Sequence, residues 1–282
     1  MNLRRRFRAY LRLARPGNLV IAAVSIAAGA AVSAPVSLGT TLWVILGGVL
    51  VAAGGNAVND YCDRDTDRQV KPHRPLPAGD LSAQGAARFS GSLLVAGWVL
   101  SLRGGWGTFG LVSAWVVLLV AYSRWLKGAG LPGNLVVSAV VASAFLLGGL
   151  CGANPLHSLI PAGFAFLFHL GREIIKDVED IAGDSSAGVG TFAVRRGGEA
   201  ALRLAAVVLS ILIATTLLPY LTGTYNRIYL GAVILGVDVP MVYVIRTLLD
   251  KPSRRRLGMV SGLLKADMVV GIACILVGSG VV

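Results

Sequence analysis

Six aspartates fall into two groups with the same internal spacing: Asp60, Asp63 and Asp67, then Asp177, Asp180 and Asp184. On a helix, steps of three and four residues stack side chains on one face, about one turn apart. Like charges so arranged repel, and at a membrane boundary they are costly unless a cation compensates. Mg²⁺ does this directly. It prefers hard oxygen ligands and usually takes one or two carboxylates together with substrate phosphate oxygens. Each member of the second group lies 117 residues after its counterpart, since 177 − 60, 180 − 63 and 184 − 67 agree. A solvated acidic loop would explain either group alone, but not both at one offset. Together they predict a site for two or more Mg²⁺ ions and a diphosphate.

Basic residues are interleaved with the acids. Arg64, Arg68, Lys71 and Arg74 accompany the first group, Arg172 and Lys176 the second. Such side chains bind phosphate oxygens that metals leave uncovered. A third segment, YSRWLKGAGLPGN, offers Tyr122, Arg124, Lys127 and Asn134. For Arg124 an ordinary topogenic bias explains the charge equally well. His169 reads as a packing residue and His73 is ambiguous. Asp238, Lys265 and Asp267 lie in apolar helices, where a structural pairing is as good a reading as a functional one. Cys62, Cys151 and Cys274 are scattered, without the spacing of a zinc site.

The elements that must position these residues are membrane helices. Of 282 residues, 55% are hydrophobic and 14% charged, against roughly 25% charged in soluble domains. Runs of about 20 apolar residues suit a bilayer. They predict an all-α polytopic protein with nine spans, at roughly 17–34, 41–59, 82–102, 106–123, 133–152, 156–175, 200–221, 227–248 and 257–281. The N-terminal stretch MNLRRRFRAYLRLARP lacks an obvious cleavage site and reads as leading into a retained first helix. The net charge of +12 sits mostly at the N-terminus and in the loops after the second, fourth, sixth and eighth spans. That places the N-terminus and both acidic groups on the cytoplasmic side, suits an anionic leaflet, and makes nucleic acid a poor partner. The common offset predicts a parallel four-helix repeat with halves near 1–128 and 129–250, plus an extra helix at 257–281, in one domain spanning 1–282.

These segments resemble the UbiA superfamily of intramembrane prenyltransferases. The family's N-D-x-x-D-x-x-x-D motif is matched by Asn59, Asp60, Asp63 and Asp67, and its R-P-L-P-x-G segment by Arg74 to Gly79. Its second motif is matched by Lys176, Asp177, Asp180 and Asp184, and its Y-S-R-x-L-K segment by Tyr122 to Lys127. The resemblance covers essentially the whole chain, and it implies nine helices and a lateral opening for a lipid chain. REIIKDVEDIAGD and the early RPGN (Arg15 to Asn18) resemble most the digeranylgeranylglyceryl phosphate synthase branch, which makes the second ether bond of archaeal-type lipids.

The resemblance implies Mg²⁺ as cofactor, with a prenyl diphosphate and a lipid-phosphate acceptor as partners, a membrane setting and no obligate protein partner. Metal ligands are expected from Asp60, Asp63, Asp67, Asp177, Asp180 and Asp184. Diphosphate contacts are expected from Asn59, Arg68, Arg74, Tyr122, Lys127 and Lys176. Arg15, Asn18 and Arg172 are candidates for the acceptor. Neutralised diphosphate leaves, an allylic cation forms in an apolar cavity, and the sn-2 hydroxyl of geranylgeranylglyceryl phosphate attacks. Asp177 or Asp184 takes its proton, and the sequence does not choose between them. An aromatic acceptor is the competing enzymatic expectation. A transporter is the competing class, although it predicts acids near the midplane and inverted halves.

Overall fold

The computed structural model describes residues 3–281. Hydropathy and length set its architecture. Among the described residues, eight helices are long and apolar enough to cross a membrane, or nine when the bent pair at the N-terminus is counted as one span. Their outward faces carry large apolar residues, including Trp43, Trp98, Leu235 and Val269. Lipid, not water, is the medium such faces fit. The chain is a multi-pass membrane protein.

It divides into two compact units. One comprises the chain up to Lys127 together with Ala144–Leu156, and the other comprises Gly128–Ser143 and the chain from His157 onward. The first contains α1 (Leu3–Ala14), α2 (Pro16–Val32), α3 (Leu38–Cys62), α4 (Arg64–Val70), α5 (Ala83–Ser101) and α6 (Trp106–Ala121). Helix α7 (Leu131–Gly149) is shared, and its last residues belong to the first unit. The second adds α8 (Leu159–Glu179), α9 (Ile181–Ser186), α10 (Phe192–Arg196), α11 (Gly198–Thr216), α12 (Leu218–Leu221), α13 (Arg227–Val233), α14 (Val239–Leu249) and α15 (Arg254–Gly278).

Three expectations change in detail. The arginine-rich N-terminus is itself a helix, α1, which meets α2 at 47°. The kink falls at Arg15, whose backbone is left-handed at φ 57°. Pro16 follows it, and a residue before proline is driven out of the right-handed helical region. The fourth span does not stop at 123. Tyr122–Leu126 form a π turn and Lys127–Ala129 a 3₁₀ turn, so the helical path runs on to Ala129. The two acidic segments are not loops but helices, α4 and α9, each continuing from a long span.

Helix α3 organises the first unit, touching α1, α2, α5 and α6. Ser37 caps its N-terminus by accepting from the Thr40 amide at 3.5 Å. Small residues let its neighbours approach closely, as in other membrane bundles. Gly47 faces the Gly97 carbonyl of α5, and Gly48 faces Ile26 and Leu147. At the junction of α2 and α7, a Cβ on Gly148 would collide with the Ile26 carbonyl oxygen.

Backbone cannot retreat from such a clash, so Gly148→Ala is expected to destabilise by about 1–3 kcal/mol. Gly163, within α8, has open space where a Cβ would go. Gly163→Ala is expected to be neutral or to stabilise by up to about 1 kcal/mol. Thermal unfolding of the two variants in one detergent checks the contrast.

Candidate active site

The two aspartate segments are built alike. In the first, α3 ends at Cys62, and Asp63 (φ −81°, ψ −3°) leads directly into α4. The Asp63 amide donates to the Asn59 carbonyl at 2.9 Å, and the Asp67 amide donates to the Asp63 carbonyl at 2.8 Å. In the second, α8 ends at Glu179, and Asp180 (φ −93°, ψ 1°) leads into α9. The Asp180 amide donates to the Lys176 carbonyl at 3.0 Å, and the Asp184 amide to the Asp180 carbonyl at 2.9 Å. Cys62 with Glu179, Asp63 with Asp180, and Arg64 with Ile181 keep the 117-residue offset. Each segment is a helical staircase with three carboxylates one turn apart.

The first staircase is nearly closed to solvent. Asp60 is 4% exposed, Asp63 8% and Asp67 5%. Carboxylates this buried need opposite charge, and three cations supply it. Arg74 donates from Nη1 to Asp67 Oδ2 at 2.6 Å and to Asp60 Oδ1 at 3.1 Å. Arg15 also donates to Asp60, and Lys127 to Asp63. Asn59 adds its amide to Asp63 Oδ2 at 3.1 Å. Burial pushes the Asp67 carboxyl up from its usual value, although Arg74 pulls the other way. Burial would lower Arg74, but Asp60 and Asp67 outweigh it and hold the guanidinium above its usual value.

One oxygen of this cluster has no counterpart. Asn59 Oδ1 is buried and accepts no hydrogen bond from any described residue. A buried acceptor beside three carboxylates is a donor set of hard oxygens only, and that chemistry fits Mg²⁺. Among the described residues, no three His, Cys, Asp or Glu side chains come close enough to form a metal cage by themselves. Magnesium does not need one, because it keeps waters and takes phosphate oxygens.

The segment after α4 supplies Arg74 and the anchor for α1. Lys71 (φ −136°) and Pro72 end α4. The chain then folds into turns, with the Asp80 amide donating to the Pro75 carbonyl at 2.9 Å. Gly79 makes the left-handed step at φ 73°. Asp80 receives Arg12 Nη2 at 2.5 Å and Arg5 Nε at 3.0 Å. Ala9 and Leu13 of α1 pack with Ala57, Leu81 and Ala86. The Asn56 side chain donates to the Ala14 carbonyl at 2.9 Å, filling a C-terminal acceptor of α1.

In the second staircase, Asp177 is half-buried, and its Oδ2 accepts from Asn134 Nδ2 at 2.9 Å. Asn134 is itself buried. Arg172 Nη1 and Lys176 Nζ both donate to Glu173, at 2.9 and 3.4 Å. Ser261 of α15 donates to Glu179. Asp180 and Asp184 are half-buried.

The structure therefore gathers Asn59, Asp60, Asp63, Asp67, Arg74, Lys127 and Arg15 around one staircase. It places Asp177, Asp180, Asp184, Lys176 and Arg172 on the other. Arg68 points away and pairs with exposed Asp65 at 3.3 Å. Asn18 is exposed, one turn into α2, and Tyr122 is half-buried in the π turn. Asp238 and Asp267 are buried in the second unit. Asp238 accepts from Thr216 Oγ1 at 3.2 Å, while Asp267 accepts from no described residue. Lys265 is exposed. The sequence reading missed the counter-ions Glu173 and Asp80. Their signal was only a carboxylate among basic residues, with partners at long range for Asp80.

Two outcomes test this geometry. Removing Arg74 leaves two buried carboxylates without their shared cation. Arg74→Gln is expected to cost about 1–3 kcal/mol, less than a fully buried pair because the side chain is 22% exposed. Denaturant unfolding measures it. Burial opposes ionisation of Asp80, yet Arg12 and Arg5 hold its carboxyl below the usual value. A depressed native value means the docking of α1 is strongest above about pH 3.9. It weakens as pH falls through the lower native value. Hydrogen exchange of α1, corrected for intrinsic rates, should show that loss on acidification. In Asp80→Asn the weaker protection should be present already at neutral pH.

Comparison with known proteins agrees with this architecture. The model of the UbiA prenyltransferase family matches residues 19–260. A digeranylgeranylglyceryl phosphate synthase of Hyperthermus butylicus is 38% identical, over 84% of this chain and 83% of the relative. One from Sulfolobus acidocaldarius is 40% identical, over 84% of this chain and 86% of the relative. A solved structure from work on digeranylgeranylglyceryl phosphate synthase in membranes superposes with a TM-score of 0.80 at 30% identity, covering 97% of this chain and 98% of that one.

Proposed function

Because this chain belongs to the UbiA prenyltransferase family, we propose that it moves a geranylgeranyl group from its diphosphate to the hydroxyl of geranylgeranylglyceryl phosphate. The name shared by its relatives supports that acceptor. The observation that carries the chemistry is the first staircase, where buried carboxylates and one unpartnered amide oxygen meet two cations of phosphate-binding type, Arg74 and Lys127.

Asp60, Asp63 and Asp67 would hold Mg²⁺ with Asn59 Oδ1, and Asp177, Asp180 and Asp184 would hold it at the second staircase. When bound, Mg²⁺ supplies positive charge to the leaving diphosphate. Arg74 and Lys127 turn from their carboxylates to phosphate oxygens, with Lys176 and Tyr122 as further donors. The bond between C1 and the diphosphate oxygen breaks, and the apolar helices keep water from the allylic cation. The acceptor hydroxyl forms the new C1–O bond. Its proton goes to Asp177, whose Oδ2 is held by Asn134 so that Oδ1 can face the hydroxyl. Asp184 is the alternative base. Arg15, Asn18 and Arg172 bind the acceptor phosphate. The excess of basic residues in the N-terminus and the staircase segments supports a cytoplasmic site.

The test is a transfer assay with purified protein in detergent and labelled geranylgeranyl diphosphate, offering geranylgeranylglyceryl phosphate or 4-hydroxybenzoate in parallel. An ether-lipid product is expected, lost on chelation and reduced at least about 100-fold in Asp63→Ala. An aromatic product alone would overturn the acceptor. No diphosphate release with either acceptor, from folded protein, would overturn the reading.

A further inference from the structure

Helix α1 carries five arginines and no acid in Leu3–Ala14. Its inner face is accounted for. Ala9 and Leu13 are fully buried, Tyr10 packs on Phe89 in a tilted pair with ring centroids 4.8 Å apart, and Arg5 and Arg12 reach Asp80. Its outer face is different. Arg4, Phe7, Arg8 and Leu11 recur at steps of three, one and three, which aligns them along one side. All four are exposed, Phe7 at 64% and Leu11 at 44%. An open groove beside this face is lined by Arg4, Arg8 and Leu11 together with Arg5 and Arg12.

Two facts fix what this face meets. The 47° bend to α2 takes α1 off the axis of the first span. Its arginines also make burial in hydrocarbon costly. The helix therefore lies at the membrane boundary. There, an apolar pair one turn apart enters the acyl region, while long basic side chains reach up to headgroups. A zwitterionic surface would satisfy Phe7 and Leu11 but offers no net negative charge to a helix with five arginines and no acid. An anionic surface satisfies both.

We propose that α1 is an interfacial helix that binds anionic lipid headgroups, with Arg4 and Arg8 on the phosphates and Phe7 and Leu11 in the acyl boundary. Bound lipid secures α1 from outside as Asp80 does from within. Through the bend at Arg15, it steadies the cation that pairs with Asp60.

The full chain in detergent is titrated with phosphatidylglycerol, phosphatidylcholine or inorganic phosphate, and thermal unfolding reports binding. Phosphatidylglycerol should raise the transition more than phosphatidylcholine, and less so at high salt. In Arg4→Gln/Arg8→Gln the apparent affinity for phosphatidylglycerol should fall at least about tenfold, while the transition without lipid stays near the parent value. Arg254→Gln/Arg255→Gln/Arg256→Gln, at the start of α15, should keep the parent response. If the Arg4→Gln/Arg8→Gln variant unfolds without lipid, Phe7→Ser/Leu11→Ser replaces it, with weaker binding of both lipids expected. Equal responses to the two lipids, a full response in whichever α1 variant is tested, or an equal shift with inorganic phosphate would each overturn the proposal.

Discussion

Three carboxylates lie almost out of solvent where α3 passes into α4, and that burial is stable only with positive charge beside them. Arg15, Arg74 and Lys127 provide it from three separate stretches of chain. None is a neighbour of the aspartates on the same helix. The cluster therefore ties the start of α2, the turns after α4 and the end of the fourth span to one point.

Much of the first unit serves that point. The kink before Pro16 turns Arg15 toward Asp60, at the expense of a left-handed backbone that non-glycine residues seldom adopt. Asp80 and Asn56 hold α1 down, so the kink has a fixed arm on each side. Close glycine contacts along α3 keep the span tight against α5. The second staircase is supported differently. Asn134 holds Asp177, and Glu173 gathers Arg172 and Lys176. One backbone design thus carries two electrostatic settings, one closed by cations and one braced by an amide.

The staircases were legible in the sequence because spacings of three and four have one meaning on a helix, and because the offset repeats. The spans were legible because a bilayer demands length and hydropathy. What escaped depends on long-range or backbone facts. The arginines of α1 read as topogenic charge, since its inward side offers only Ala9, Tyr10 and Leu13 to mark a docked helix. Nothing local says that Arg15 returns to Asp60, 45 positions on, or that Arg12 reaches Asp80, 68 positions on. The π turn at Tyr122–Leu126 left no trace either, because its residues suit an ordinary helix as well.

Under the proposed function, Mg²⁺ and the internal cations compete for the same carboxylates. Calorimetric titration of Mg²⁺ into Lys127→Met, compared with the parent protein and without any diphosphate, tests it most directly. Removing the Lys127 ammonium from Asp63 should tighten Mg²⁺ binding, while geranylgeranyl diphosphate binds more weakly to the same variant. Mg²⁺ affinity that is unchanged or weaker, in protein with a normal unfolding transition, would contradict the account.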